Sequence, residues 1–173
     1  MTDKNKMISS RTATLFEVNG KNDALIKMGG EKFEIPVFQR PYSWGEHQVS
    51  KLISDLFLAF LSSQEGTAED VYFIGTMQLS PKEGFFEVID GQQRLSTFLL
   101  LMKVLEEKNS VDLSGFPFDF LSTKVNEGSQ QELLRRYRED GDGDSLYRKN
   151  ADLIEKLLNK KGESTDEEVS WDG

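Results

Sequence analysis

The sequence predicts an α+β domain of α/β-like character, in which a small mixed sheet is flanked by helices and a helical C-terminal part follows. Short β-patterned segments alternate with two apolar helical segments as far as residue 105, and polar helical stretches come after them. A chain of 173 residues suits one domain and is too short for two. We expect a flexible N-terminus over residues 1–12, the domain over residues 13–160, and an acidic flexible tail, or the edge of a longer protein, over residues 161–173.

The first part of the chain contains short β segments and one amphipathic helix. Thr14–Val18 and Asp23–Met28 are predicted to form short elements, and Lys32–Ile35 is predicted to be a strand. Two prolines then keep Pro36–Tyr42 extended. A helix is predicted to begin near residue 43, and apolar residues lie at helical spacing along the face that should pack on the core: Val49, Leu52, Ile53, Leu56 and Phe60.

The middle of the chain predicts a hairpin that leads into a buried helix. Val71–Leu79 has strong β character, Ser80–Gly84 is predicted to be the hairpin loop, and Phe85–Ile89 is the return strand. The helix Leu95–Leu105 is apolar on most sides. Two polar helical stretches follow, approximately at residues 129–139 and 145–160.

Composition argues against several classes of function. The 30 acidic and 21 basic residues give a net charge of −9, which argues against holding nucleic acid by counterion release alone. The absence of cysteine excludes disulfides and thiolate zinc sites, and the single His47 excludes mechanisms that need two histidines, including an HNH nuclease. The sequence has no run of about 18 apolar residues, so we expect no membrane span and a cytoplasmic protein.

One candidate site is the turn between the return strand and the apolar helix, with the sequence Asp-Gly-Gln-Gln-Arg at residues 90–94. A strand, a glycine turn and a helix start form an anion site, because free backbone N–H groups and the helix dipole point at the ligand. Arg94 opposes that dipole, so it would serve a bound anion or a carboxylate. The structural alternative is a capping box, in which Asp90 caps the helix and Gln93 reaches back.

The second candidate is the extended loop at residues 36–44, which contains Gln39, Arg40, Tyr42 and Trp44. The two aromatic rings could stack on a base while Arg40 contacts a phosphate. The alternative is a rigid loop whose aromatic residues fill the core and whose arginine pairs with a carboxylate.

Together these motifs resemble the N-terminal domain of GmrSD-type restriction endonucleases, a family found in modification-dependent restriction systems and related phage-defence proteins. The matching segments are Ile35–Trp44, Tyr72–Thr76 and Val88–Thr97, in this order, with a weaker helical signature at Leu146–Asn150. The resemblance covers about residues 16–158 and implies a ParB/sulfiredoxin-like fold.

The resemblance also implies binding and hydrolysis of a nucleoside triphosphate with Mg²⁺, coupled to DNA cleavage by a separate nuclease domain or subunit. It assigns catalysis to Asp90, Gln93 and Arg94, and the role of Asp90 stays open: it could cap the helix, hold Mg²⁺ through water or position the attacking water. The implied nucleotide-binding residues are Gln39, Arg40, Tyr42, Trp44, Gly91, Gln92, Arg94, Ser96 and Thr97. DNA would be reached through additional domains or subunits.

Two other functions stay open from the sequence. The same cleft could belong to a non-enzymatic module that reads modified DNA or docks a partner protein. Direct nicking of DNA by this domain is disfavoured by the net charge and the single histidine, and no suitably placed lysine follows Glu87 or Asp90.

Overall fold

The computed structural model describes residues 8–16, 24–26, 32–64, 72–108, 111–125, 129–137 and 145–163. Six strands and four helices lie within these ranges. The strands are β1 (Thr14–Phe16), β2 (Ala24–Ile26), β3 (Phe33–Ile35), β4 (Gln78–Pro81), β5 (Phe86–Asp90) and β6 (Leu121–Thr123). The helices are α1 (Glu46–Gln64), α2 (Gln92–Glu107), α3 (Ser129–Arg135) and α4 (Leu146–Glu163). The predicted α+β class is confirmed.

The main sheet has the strand order β4-β5-β3-β6. Strand β3 runs parallel to both β5 and β6, whereas β4 pairs antiparallel with β5 as the predicted hairpin. Because β3 and β5 are parallel neighbours, their C-terminal ends lie at the same edge of the sheet. The loop after Ile35 and the turn after Asp90 therefore leave the sheet side by side, which brings the two candidate motifs together.

Helix α2 is the centre of the core. Its residues Leu95, Leu99, Leu100 and Val104 are almost completely buried, and it packs against α4, which also contacts α1. An aromatic cluster around Phe116 belongs to this core, with rings from four further residues at centroid distances of 4.8–6.1 Å: Phe16, Phe98, Phe118 and Phe120. Burial of this apolar surface is the main favourable contribution to the folding of the domain.

Several predicted elements differ in the structure. Residues 72–77 are irregular rather than β, because Gly75 has a φ of 108° and the carbonyl groups on both sides of it bind a side chain instead of a strand. Phe60, predicted to face the core, is exposed. The third helix ends at Arg135 rather than near residue 139, and the strand β6 was not predicted.

The domain boundaries given from the sequence stay a prediction. Helix α4 continues to Glu163, three residues past the predicted end of the domain. Residues 1–7, the predicted extensions of the first two elements to Val18 and Met28, and residues 164–173 of the predicted tail lie outside the described residues. Within the described ranges, no helix combines the length and the apolar character needed to cross a membrane.

Candidate functional site

The turn before helix α2 is built around Gly91, which has a φ of 97° and a ψ of 1°. This left-handed conformation favours glycine, and a Cβ at this position would lie 2.8 Å from Cγ of Met77. Gly91 is the N-cap of α2, and no side chain caps the helix. The capping-box interpretation is therefore wrong, because Asp90 is the last residue of β5 and the Gln93 side chain binds elsewhere. The first N–H groups of α2 are left without a side-chain acceptor.

The two glutamines of the motif hold the neighbouring loop at residues 36–45. Both are buried, with 6 % and 7 % of their surface exposed. Oε1 of Gln93 accepts hydrogen bonds from the backbone N–H of Ser43 (2.8 Å) and of Trp44 (3.3 Å), while its Nε2 donates to the Pro41 carbonyl (3.2 Å). Nε2 of Gln92 donates to the Arg40 carbonyl (2.8 Å). An irregular loop lacks the backbone hydrogen-bond partners of a helix or strand. The two glutamine side chains supply partners to the loop's backbone N–H and carbonyl groups instead.

Tyr42 lies at the centre of a buried polar chain. Asn150 Nδ2 donates to the Tyr42 hydroxyl (3.1 Å) and to the Trp44 carbonyl (2.7 Å). The Tyr42 hydroxyl lies 2.8 Å from Thr97 Oγ1, which donates to the Gln93 carbonyl (2.8 Å), so the Tyr42 hydroxyl is the donor to Thr97. The direction of donation is defined for every hydrogen bond in this series. Together these bonds fix the 36–45 loop against α2 and α4.

The ring of Tyr42 is stacked on Tyr147, with centroids 4.4 Å apart and planes 8° from parallel. Burial raises the pKa of both phenols above the ordinary value of 10.0. One face of Tyr42 is thus covered by a side chain of α4, where the sequence predicted contact with a base. Trp44 is half-buried and packs against the core, and Ser96 and Thr97 are completely buried.

Arg94 holds the loop at residues 72–77. Its guanidinium donates from Nη1 to the Ile74 carbonyl (3.2 Å) and from Nη2 to the Thr76 carbonyl. It passes directly over Gly75, where a Cβ would lie 1.9 Å from Nη1. Nη2 also lies 3.5 Å from Oδ2 of Asp90; the side chain of Arg94 is 20 % exposed and that of Asp90 is 59 % exposed. Arg94 and Asp90 are therefore the part of the motif that meets solvent.

The tip of the 36–45 loop also faces solvent. Gln39 closes a turn by donating its backbone N–H to the Pro36 carbonyl (3.0 Å), and its Nε2 donates to the Ile89 carbonyl at the end of β5 (2.7 Å). The side chain of Arg40 is exposed and pairs with no carboxylate among the described residues. The structure thus brings both motifs together around the first turn of α2. Some of their side chains face solvent and others are buried in the core.

Residues 21–171 of the chain match the sequence model of the family described as "GmrSD restriction endonuclease, N-terminal domain". The chain belongs to this family. The assignment to a restriction or phage-defence system, made from the motifs, is confirmed at that level. A search of curated proteins found no match.

A divalent cation in this GmrSD N-terminal domain would have few protein ligands at the turn. No group of three or more histidines, aspartates or glutamates with metal-binding geometry occurs in the described parts of the chain. Mg²⁺ is commonly held by one or two carboxylates together with substrate phosphates and water. The exposed carboxylate of Asp90 beside an uncapped helix start fits that mode of binding.

A cavity of about 440 Å³ lies elsewhere in the GmrSD domain, between the C-terminal half of α2, β6 and α3. Lys103 lines it and donates to the carbonyls of Leu134 and Arg135, and burial lowers the pKa of this lysine. Tyr137 donates to Oε1 of Glu107 (2.6 Å) at the same wall. None of the predicted site residues lines this cavity.

Sequence reasoning missed the roles of Tyr147 and Asn150 in the GmrSD domain, although both lie in its weaker helical signature. A usable signal was present, because Tyr147, Asn150, Ala151 and Ile154 follow helical spacing and all are buried. An asparagine on an apolar helix face needs buried hydrogen-bond partners.

Proposed function

We propose that this domain binds a nucleoside triphosphate with Mg²⁺ at the Asp90–Arg94 turn, hydrolyses it, and couples that hydrolysis to DNA cleavage by a separate nuclease domain or subunit. The observation that carries the proposal is the N-terminus of α2, which follows the left-handed Gly91 and has no side-chain cap. Free N–H groups and the positive end of the helix dipole form a phosphate site at such a turn.

The charges around the turn support this proposal. In a protein with a net charge of −9, Arg40 is exposed next to the helix start and pairs with no described carboxylate. Arginine binds phosphate through charge-assisted and often bidentate hydrogen bonds. Arg94 supplies a second, partly exposed guanidinium, although its bonds to the 72–77 loop already use part of its donors.

One buried polar atom at the turn also bears on the proposed ligand. Oε1 of Gln92 is buried and has no hydrogen-bond partner among the described residues, and its Nε2 is 2.8 Å from the Arg40 carbonyl. Buried acceptors are normally paired. A hydroxyl or amino group of a bound nucleotide would supply a donor to this acceptor if binding moved aside the groups that now bury it.

Asp90 and Gln93 receive different roles in this proposal. Asp90 would hold Mg²⁺ or position the attacking water, and Mg²⁺, when bound, supplies the positive charge that lets a carboxylate lie beside phosphates. The amide of Gln93 is engaged with the loop, so Gln93 would position the loop that carries Arg40. Ser96 and Thr97 would support the helix start from inside the core.

The test is a titration of the purified protein with each of the four common nucleoside triphosphates and Mg²⁺, following thermal stabilisation and phosphate release. At one hundred times the Kd, binding stabilises the folded state by about 2.7 kcal/mol. Arg40→Ala should weaken binding about tenfold or more, since it removes a charge-assisted bond. Arg135→Ala, an exposed arginine on α3, is the control and should bind as the wild type does.

Three results would contradict parts of this proposal. No stabilisation by any nucleotide would reject the site, and unchanged binding by Arg40→Ala would reject the role of that arginine. Stabilisation without phosphate release would support binding and contradict hydrolysis by this chain alone.

A second candidate is a non-enzymatic module that reads modified DNA or docks a partner protein through the same surface. The observation that favours it is the set of exposed apolar side chains on the segments that border the turn: Val37, Phe38, Phe73 and Ile89. Turnover of a nucleotide separates this function from the first.

A further inference from the structure

Phe38 is exposed next to the proposed phosphate site. It lies in the turn closed by the bond from Gln39 N–H to the Pro36 carbonyl, and 68 % of its surface is accessible. The next residue, Gln39, bonds to the Ile89 carbonyl, and the one after it, Arg40, accepts a bond from Gln92. Phe38 is therefore the chain neighbour of a residue bonded to β5, and it lies two residues before the one bonded to the first turn of α2.

The loop that carries Phe38 is firmly held on the C-terminal side of this residue. The bonds from Gln39, Gln92 and Gln93 fix its backbone, and the Tyr42 N–H donates to Oε1 of Gln130 (3.1 Å). An exposed aromatic ring on a fixed backbone loses little conformational freedom when a ligand binds, so it is pre-organised for contact.

The aromatic residues that the sequence proposed for base stacking are placed differently. Tyr42 is buried and stacked on Tyr147, and Trp44 packs partly against the core. Phe38 is the aromatic residue of the 36–45 loop with a largely free ring, and it shares the exposed tip with the cation Arg40.

We propose that Phe38 is the platform on which the base of the bound nucleoside triphosphate stacks. This assignment rests on the proposed function, because it needs the triphosphate at the Asp90–Arg94 turn. A phenylalanine ring offers a face to every base and no hydrogen bond to any of them. Phe38 would therefore add affinity for the nucleoside part, with little preference among bases beyond their strength of stacking.

The experiment compares two ligands, ATP and inorganic tripolyphosphate, each with Mg²⁺, on wild type and variants. Phe38→Ala should weaken ATP binding by about 5- to 150-fold, the range found for loss of one base–aromatic stack, and leave tripolyphosphate binding unchanged. Phe38→Trp should retain ATP affinity. Phe73→Ala is the matched control, since Phe73 is equally exposed on the other loop at the turn.

The outcomes distinguish failure of this assignment from failure of the site. The stacking role of Phe38 would be rejected if the wild type bound ATP no more tightly than tripolyphosphate. It would also be rejected if Phe38→Ala bound ATP as the wild type does. Either result would leave the phosphate site in place. Equal weakening of both ligands by Phe38→Ala would also reject the stacking role, because the ring would then act on the loop and not on the base. Wild type that binds neither ligand would overturn the proposed function and this assignment with it.

Discussion

The loops at residues 36–45 and 72–77 both rest on the first turn of α2, but different chemistry holds each of them. Gln92 and Gln93 hold the first loop with neutral amides that are more than nine-tenths buried. Arg94 holds the second loop with a charged group that is 20 % exposed. A buried amide must be satisfied by protein, whereas water can replace a partner at an exposed one. The motif therefore combines a structural half, directed inward, with a half that meets solvent.

Gln93→Met should break the first loop and cause the largest loss of stability. It removes the acceptor of the Ser43 and Trp44 N–H groups and the donor to the Pro41 carbonyl, and leaves these partly buried groups unpaired. We expect a decrease of about 1–3 kcal/mol in the free energy of unfolding, measured by urea denaturation.

The control for Gln93→Met is Gln48→Met. Gln48 also accepts a backbone bond in this region, from the Gly45 N–H at 3.2 Å, but at an exposed position. Its loss should cost less than about 0.5 kcal/mol, as for most surface substitutions. Equal losses in the two variants would show that burial does not decide how the loop is held.

Gly91→Ala should disturb the junction between the two loops, and Gly84→Ala calibrates the size of this effect. Both glycines have a positive φ, 97° and 82°, so each alanine incurs the cost of the left-handed conformation, about 1–2 kcal/mol. At Gly84 an added Cβ meets nothing within 4 Å, whereas at Gly91 it lies 2.8 Å from Met77 Cγ. Gly91→Ala should therefore lower the thermal midpoint further than Gly84→Ala, and equal midpoints would contradict the close contact.

The third comparison of the two loops uses the free energy of unfolding at alkaline pH. Burial raises the pKa of Tyr147 above 10.0, so the folded state favours the neutral phenol. The resulting stability is complete below pH 10 and is lost as pH rises through the folded pKa, with a slope of at most about 1.4 kcal/mol per pH unit for one group. Tyr147→Phe should make the free energy of unfolding fall less steeply above pH 10.

Tyr72→Phe provides the comparison from the 72–77 loop. The pKa of Tyr72 is raised by partial burial and by its bond to Asp55, but this residue is more than one-third exposed. Its replacement should change the alkaline slope less than Tyr147→Phe does. A larger effect from Tyr72 would contradict the view that the buried contacts belong to the 36–45 loop.

The sequence was sufficient to predict most of the regular elements around the site. Apolar spacing predicted α1 and α2, and the β pattern predicted the β4-β5 hairpin, although Ser80 and Pro81 of the predicted loop belong to β4. Strand β6 was missed because its sequence, Leu-Ser-Thr, contains a single apolar residue and therefore shows no alternation. Residues 72–77 were predicted as a strand because their side chains favour β structure, and that preference was overridden by Gly75 and the guanidinium that lies over it.

The inward orientation of the glutamines could not be predicted from the sequence. Polar residues in the first turn of a helix normally face solvent, and nothing local indicates that Gln93 binds a loop 50 residues earlier in the chain. Likewise, the partner that covers Tyr42 lies on α4, which only the tertiary fold brings near. The two motifs were recognisable as a pair, but which of their side chains meet solvent depends on these distant contacts.

The contact between Asn150 and Tyr42 joins residues that are 108 positions apart. Contacts of such long range form late, because the chain entropy of closing a long loop is lost before the contact is gained. During synthesis, which proceeds from the N-terminus, the 36–45 loop leaves the ribosome long before the helix that fixes it. The surface that carries Arg40 and Phe38 would thus take its final form only after α4 has been made and has docked, so an incomplete chain would contain both motifs without this arrangement of their side chains.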